Sequence, residues 1–446
     1  MGKLTDSLSA LREPEYRKLF LGQATSVIGV MFTVVALPFA VLEIGGTATD
    51  IGIVEAANLV PLGVFLLIGG VWADRLPRQK VMLVADFVRF ALQCATATIL
   101  IAGVAEVWQL ALLQVGMGIS EAFFRPASVG LVPQVVSPPL LQQANALTSL
   151  VMSGSITLGA VFAGLVVAAV GPGWGIGIDG LTYLMSAAFL LRLRPAAFRG
   201  RLKQAGRPPA GDEAAAGAGP ADDRSGSPSF VRDLMAGWRE FTSHTWLWVM
   251  VAGVAVFLFA IEGPIQVLGP IIARDVYDGA RTWGFTSAAM GLGQIAGGLL
   301  SLRWRPRRPM LVIAAGMSLA AVPVALLALR APVWALYVSL AVMGVEWGLY
   351  DPLWMTCMQR VVAPAMISRV SSYDYLGSLA FYPAGLALAG PLADAVGMDT
   401  LLWVSASVAV CVSVFQLSWK DVRAPKDMGP IGAGARAPSA ESALES

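Results

Sequence analysis

The residues with the most scope for chemistry are carboxylates set in stretches that are otherwise apolar. Glu262 stands in FAIEGPIQVLGP, Glu346 in GVEWGLYDP, and Glu121 four residues before Arg125. An ionisable group at bilayer depth costs several kcal/mol or draws water in, so each is a candidate for proton exchange. Glu262 falls roughly 25 Å into its apolar run at 1.5 Å per helical residue. Gly263, Pro264 and Pro270 interrupt the helix there and free carbonyls that need a cavity or water. Glu121 and Arg125 have the spacing of an internal ion pair on one helix face. Asp86 and Arg89, three apart, read the same way. Glu55 and Asp179 fall one or two turns from the end of their runs and read as interfacial.

Other chemistry has little to work with. His244 is the one histidine, and Cys94, Cys357 and Cys411 all sit in apolar runs. Zinc hydrolysis, Ser-His-Asp catalysis and a disulfide framework therefore lack their parts. His244, just ahead of an apolar run, reads as a surface residue. A net charge of +2 implies no nucleic-acid field. No phosphate-cradling Walker loop occurs, so ATP is not expected to supply the energy. The expectation is no enzyme, no metal and no cofactor.

These carboxylates are positioned by a membrane framework. The 446 residues are 56% hydrophobic and 13% charged, against roughly 25% charged in a soluble domain. Twelve apolar runs approach or exceed the length that spans a bilayer: 19–43, 50–72, 81–103, 106–128, 143–170, 174–193, 245–272, 282–302, 309–329, 332–357, 370–396 and 399–419. The first starts near Leu19 and lacks a small-residue cleavage site, so no cleavable signal is expected. Lysines and arginines crowd alternate loops, while the others carry Arg274, Arg281 and Arg330. The positive-inside rule then places both termini in the cytoplasm of a multi-pass plasma-membrane protein, of bacterial cell-membrane type. The expected organisation is a cytoplasmic segment 1–18, a six-helix bundle 19–193, a largely disordered linker 194–244, a second bundle 245–419 and a disordered tail 420–446.

The two halves repeat. A shift of 226 residues pairs Gly159 with Gly385, Gly164 with Gly390, Gly171 with Gly397 and Pro126 with Pro352. A shift of 228 lays GGVWADRLPRQKVML, from Gly69, on GGLLSLRWRPRRPML, from Gly297. Parallel repeats with a path between the halves are a secondary-transporter arrangement. The fold class is thus all-α: twelve transmembrane helices in two pseudo-symmetric six-helix bundles.

With Gly70, Asp74, Arg75, Arg78 and Lys80 between spans 2 and 3, the chain resembles the major facilitator superfamily, whose signature there is G-x-x-x-D-R-x-G-R-K. Pro77 replaces the second glycine and Gln79 breaks the basic run. Asp74, ending a helix at the surface, could accept hydrogen bonds from a partner helix N-terminus in one conformation and release them in the other. The stretch from Phe123 to Leu147 resembles the drug:proton antiporter branch that includes macrolide and siderophore exporters, and Asp86 with Arg89 fits that branch. Leu112 stands where an arginine is often found, and Gly159-Ala160 where Gly-Pro is usual.

The resemblance implies export of a small hydrophobic or amphipathic compound by proton antiport, with the proton gradient as energy source. A gating role falls on Gly70, Asp74, Arg75, Arg78 and Lys80, and proton coupling on Glu262, Glu346 or Glu121. Gln23, Asn58, Gln114, Asn145, Gln266 and Tyr382 are the substrate-cavity candidates. Expected partners are a small-molecule substrate, protons and the lipid bilayer, with no nucleic acid, and the chain acting as a monomer. Proton-coupled import of a metabolite, and a non-transporting membrane sensor or partner protein, are the alternatives.

Overall fold

Apolar runs of this length can satisfy their backbone in lipid only by closing hydrogen bonds within themselves, and they do so as helices. The computed structural model describes residues 9–137, 140–194, 230–304, 306–362 and 366–423. The first half comprises α1 (Pro14–Glu43), α2 (Ala48–Arg75), α3 (Arg78–Ile101), α4 (Val107–Val135), α5 (Leu141–Val170) and α6 (Pro172–Leu191). After α7 (Phe230–Ser243), the second half follows: α8 (Thr245–Phe257), α9 (Gly263–Val276), α10 (Gly279–Arg303), α11 (Pro309–Gly316), α12 (Ala321–Ala328), α13 (Val333–Val361), α14 (Ile367–Leu379), α15 (Tyr382–Val396) and α16 (Met398–Ser418). Three spans of this half are built from two helices each: α8 with α9, α11 with α12, and α14 with α15.

Among the described residues, ten spans are long and apolar enough to cross a membrane. The remaining two, α5 and α10, pack against each other. Large apolar side chains such as Val64, Val84, Val129 and Val338 are exposed on the outside of the molecule, as a surface wetted by lipid requires. The linker expected over 194–244 falls mostly outside the described residues. Its last part is helical instead: α7 lays Trp238 and Phe241 against Tyr373, with ring centroids 5.4 and 6.0 Å away.

The repeat read from the glycines is realised in three dimensions. Gly171 and Gly397 both adopt left-handed backbone, at φ 90° and 87°, and each caps the helix that follows. A β-carbon there would be strained, which accounts for glycine at both places. Gly159 packs on α1, against Met31 and the Ile28 carbonyl. Its counterpart Gly385 packs on the Phe259 carbonyl of the seventh span. Gly118 of α4 meets the Asn58 carbonyl of α2, and Gly344 of α13 meets the Met290 carbonyl of α10.

The halves touch chiefly through two crossings, α2 on α15 and α5 on α10. At the first, β-carbons on Gly52 and Gly390 would fall 2.1 Å from the Leu386 carbonyl oxygen and 2.2 Å from the Thr49 nitrogen. At the second, Gly164 and Gly284 face each other, each against the other helix's backbone. Such backbone-to-backbone approach is what small residues permit between membrane helices. Thr49 and Gly52 open α2, Gly390 is six residues from the end of α15, and Gly164 is likewise six from the end of α5. The seam therefore closes at the end remote from both termini. At the other end the halves meet through a long side chain, with Arg125 of α4 in hydrogen-bonding reach of Tyr375 of α14.

Candidate functional site

Helix breaks in the second half mark where its functional candidates stand. Between α8 and α9 the backbone loosens into a π turn, Leu258–Glu262, and Glu262 is its last residue. Pro264 follows in the first turn of α9, and its missing N–H falls where the π turn has already shifted the helical hydrogen bonds. Pro270, expected to interrupt the helix, is carried inside α9; lacking an N–H, it leaves the Gln266 carbonyl without its helical partner. Between α11 and α12 a 3-10 turn covers Met317–Ala320. Between α14 and α15 the chain turns at Ala380 and Phe381, immediately before Tyr382.

Each break abuts a titratable side chain. The Gln266 Nε2 donates to Glu262 Oε1 at 2.8 Å, and Tyr382 lies within electrostatic reach of both Glu262 and Glu55. Glu55, read as interfacial from its depth, instead belongs to this centre. Its helix is the one that α15 crosses, so the opposite bundle covers it. Among the described residues no lysine or arginine pairs with Glu262 or Glu55. Two carboxylates from opposite halves thus share a region without a counter-charge.

Glu346 packs on the second break. Its Oε1 is buried with no hydrogen-bond partner, and its Cγ lies 2.3 Å from where a β-carbon on Gly316 would stand. A Gly316→Ala chain should displace this carboxylate while α11 gains helix propensity. Exchange activity is expected to fall severalfold with the melting temperature in detergent held or raised. A fall in both would show that Gly316 only packs.

Glu121 is placed differently. It receives Arg125 Nε at 2.8 Å and Nη2 at 2.5 Å, so it already has its counter-ion. Asn58 Nδ2 donates to the Gln114 oxygen at 3.2 Å, joining two cavity candidates across α2 and α4. Gln23 is partly buried on α1, and the Asn145 side chain lies outside the described residues.

The first half holds a polar cluster that spacing revealed only in part. Arg89 Nη2 meets Asp86 Oδ1 at 2.5 Å, and its guanidinium lies 4.0 Å from the Phe124 centroid and 4.5 Å from that of Tyr183. Asp179, also read as interfacial, is fully buried on α6. Its Oδ2 accepts from Thr33 Oγ1 of α1 and Gln93 Nε2 of α3, both at 2.6 Å. Those partners are far away in sequence, and no local pattern announces them.

The motif between spans 2 and 3 acts in part as an anchor. Arg78 Nη1 donates to the Gly130 carbonyl of α4 at 2.5 Å. Gln79, one of the two residues that depart from the signature, donates to the Leu190 and Leu193 carbonyls at 2.7 and 2.9 Å. These bonds tie the start of α3 to α4 and to the end of α6 within one bundle. Lys80 is exposed. The side chains of Asp74 and Arg75, and the surroundings of Gly70, lie outside the described residues.

The sequence profile described as Major Facilitator Superfamily matches residues 19–381. The chain belongs to that superfamily. It is a multi-pass membrane transporter of a small molecule, and not an enzyme. Among curated relatives it is 29% identical over 391 residues to the multidrug efflux pump Tap of Mycolicibacterium fortuitum, covering 84% of this chain and 88% of that protein. It is 23% identical over 405 residues to macrolide efflux protein A of Streptococcus pyogenes, covering 90% and 94%. With the enterobactin exporter EntS of Shigella boydii it shares 27% over 403 residues, covering 86% and 87%. Among solved structures the nucleoside transporter NupG superposes with a TM-score of 0.65 at 12% identity, over 91% of this chain and 98% of that one. A bacterial homologue of the iron transporter ferroportin, in an inward-facing state, gives 0.63 at 17%, over 92% and 99%. At such identities the superpositions establish the major facilitator fold.

Proposed function

We propose that this transporter exports a small hydrophobic or amphipathic compound across the plasma membrane in exchange for protons, with the proton gradient as its only energy source. The relatives named as macrolide, multidrug and enterobactin exporters match along most of their length, which supports the outward direction. The observation that carries the coupling is the placement of Glu262 and Glu346 at helix breaks in the second half, neither paired with a cation among the described residues. A carboxylate in that position is costly when ionised. A proton removes the cost, so protonation and deprotonation bias which way the bundles rock. Glu121, already held by Arg125, is the weaker carrier. The basic loops put both termini in the cytoplasm, so the glycine seam closes the outer side. Asp74 with its basic neighbours would then latch the inner side, with Arg78 fixing the loop to α4. One chain supplies both bundles, so a monomer suffices.

The test uses inside-out vesicles with an acidic lumen, to which lipophilic dyes, macrolides and siderophores are added. Substrate-dependent alkalinisation of the lumen is expected in the wild type. Glu262→Gln should abolish it or cut it at least about tenfold, the scale of one lost buried ionisation, and Glu121→Gln should lower it least. No proton movement with any compound, from intact protein, would overturn antiport. Uptake in right-side-out vesicles would then establish import.

A further inference from the structure

The first bundle buries a charge that the export cycle does not use. Asp86 and Asp179 are two carboxylates of one cluster, and Arg89 is its guanidinium, all three buried. Arg89 gives its close contact to Asp86, which Ser186 also supports with a hydrogen bond. It reaches Asp179 only at longer range. No other lysine or arginine among the described residues acts on either carboxylate. One negative charge is therefore left over on Asp179, and a buried charge is costly until a counter-ion joins it.

The surroundings of Asp179 are those of an ionised group. Thr33 Oγ1 of α1 and Gln93 Nε2 of α3 both donate to its Oδ2 at 2.6 Å, and the hydroxyl bond has the length found with a charged acceptor. The other oxygen faces a second acceptor. Thr182, one turn along α6, spends its single proton on the Asp179 main-chain carbonyl at 2.7 Å. Its Oγ1 therefore turns a lone pair toward Asp179 Oδ1, 3.4 Å away. Two oxygens that share a cation at about 2.4 Å and a right angle stand about 3.4 Å apart. Gln93 offers a third oxygen. Both hydrogens of its amide are spent, on Asp179 Oδ2 and on Thr33 Oγ1 at 2.7 Å. Its Oε1 is fully buried with no hydrogen-bond partner among the described residues.

Around Asp179, then, the donor hydrogens are used up while acceptor oxygens remain. One carboxylate among hydroxyl and amide oxygens suits a hard cation, and one surplus charge asks for a monovalent ion. Packing sets its size. A β-carbon on Gly29 of α1 would stand 1.9 Å from Thr182 Oγ1 and 2.7 Å from Asp179 Oδ1, so α1 lies close over both oxygens and favours sodium over potassium.

We propose that Asp179, Thr182 and Gln93 bind a sodium ion inside the first bundle, where α1, α3 and α6 meet. The ion neutralises Asp179 and pins the three helices together. The site is independent of the proton exchange proposed for the second bundle, and either can fail without the other.

The test uses the purified full-length chain in detergent at constant pH and ionic strength, with sodium chloride exchanged for choline chloride. Equilibrium dialysis with radioactive sodium should find one saturable ion per chain. Above half-saturation each tenfold rise in sodium should raise the folded-to-unfolded ratio about tenfold, read as a rising melting temperature, and choline should not. Thr182→Val keeps the shape, loses the oxygen and should weaken binding at least about tenfold, the scale of a disturbed ligand set. Thr182→Ser keeps the oxygen and should bind as the wild type does. Gly29→Ala pushes a methyl group onto both oxygens and should abolish binding. Asp179→Asn takes the place of either variant that fails to elute as folded protein. Equal melting in sodium and choline, with no sodium retained on dialysis, would overturn the site. Sodium binding left unchanged by these variants would overturn it as well, since the ion would then sit elsewhere. Stabilisation by acid in place of sodium would also overturn it, and would put a proton on Asp179.

Discussion

Gly52→Leu should hold the transporter open at the end remote from both termini. The leucine Cβ would stand 2.1 Å from the Leu386 carbonyl oxygen and 2.9 Å from its carbon. Both are backbone atoms of α15 and cannot swing away as a side-chain tip could, so α2 and α15 must part by about an ångström or more. Overpacking of this kind costs about 1–3 kcal/mol. The contact exists only where the halves are closed, so the cost falls on that state and leaves each bundle intact. At 1.36 kcal/mol per factor of ten, the closed-to-open ratio falls about fivefold to more than a hundredfold. In a background with Cys94, Cys357 and Cys411 replaced, Thr49→Cys reports the opening, because Thr49 packs under Gly390 at this crossing. Its labelling by a water-soluble thiol reagent should accelerate by that factor, and turnover should fall because the closed state is rarely reached. Gly118→Leu is the control. It meets the Asn58 carbonyl within one bundle and should lower stability without exposing Thr49→Cys. Unchanged labelling in Gly52→Leu would mean that the two helices accommodate the leucine and that the seam is not the gate.

How much of this was legible follows from what each signal measures. Glycines at one offset were visible because the duplication fixes both spacing and purpose: Gly171 and Gly397 cap helices, and Gly164 and Gly390 cross to the opposite half. Glu262 could be singled out because Gly263 and Pro264 announce a disturbed helix, and the π turn stands just before them. The break at Met317–Ala320 carries no such local mark beyond Gly316. Glu55 and Asp179 were misplaced for a physical reason. Counting rise from a helix end gives depth but no rotation, and it presumes that a shallow residue meets headgroups or water. At the closed seam Glu55 meets the other bundle instead. Asp179 turns inward to Thr33 and Gln93, residues whose proximity depends on how three helices pack.

The same packing makes the first-half cluster a fragile polar feature of the molecule. Asp86→Ala is expected to be among the most destabilising single changes available. Arg89 is 5% exposed and Asp86 is fully buried, so the guanidinium would lose its direct counter-ion with no water to replace it. Removing one partner of a buried pair costs about 3–5 kcal/mol. The Phe124 and Tyr183 faces recover part of that through cation–π attraction, and Asp179 pulls from a longer distance. A net loss of about 3 kcal/mol remains, read as a marked fall in melting temperature and in the yield of folded protein in detergent. Replacing both partners tests whether the pair is structural. Asp86→Leu with Arg89→Met removes the charges together and fills similar volume, a change that is often nearly neutral for buried pairs. It should melt far closer to the wild type than Asp86→Ala does. If that double variant also exchanges protons normally, the cluster only holds α3 against α4 and α6. If it folds yet fails to exchange, the buried charges take part in the cycle, and Asp179, left without its cation, becomes the group whose protonation must be followed next. Asp86→Ala melting as the wild type would contradict the argument at its root, since a guanidinium this deep would then need no carboxylate beside it.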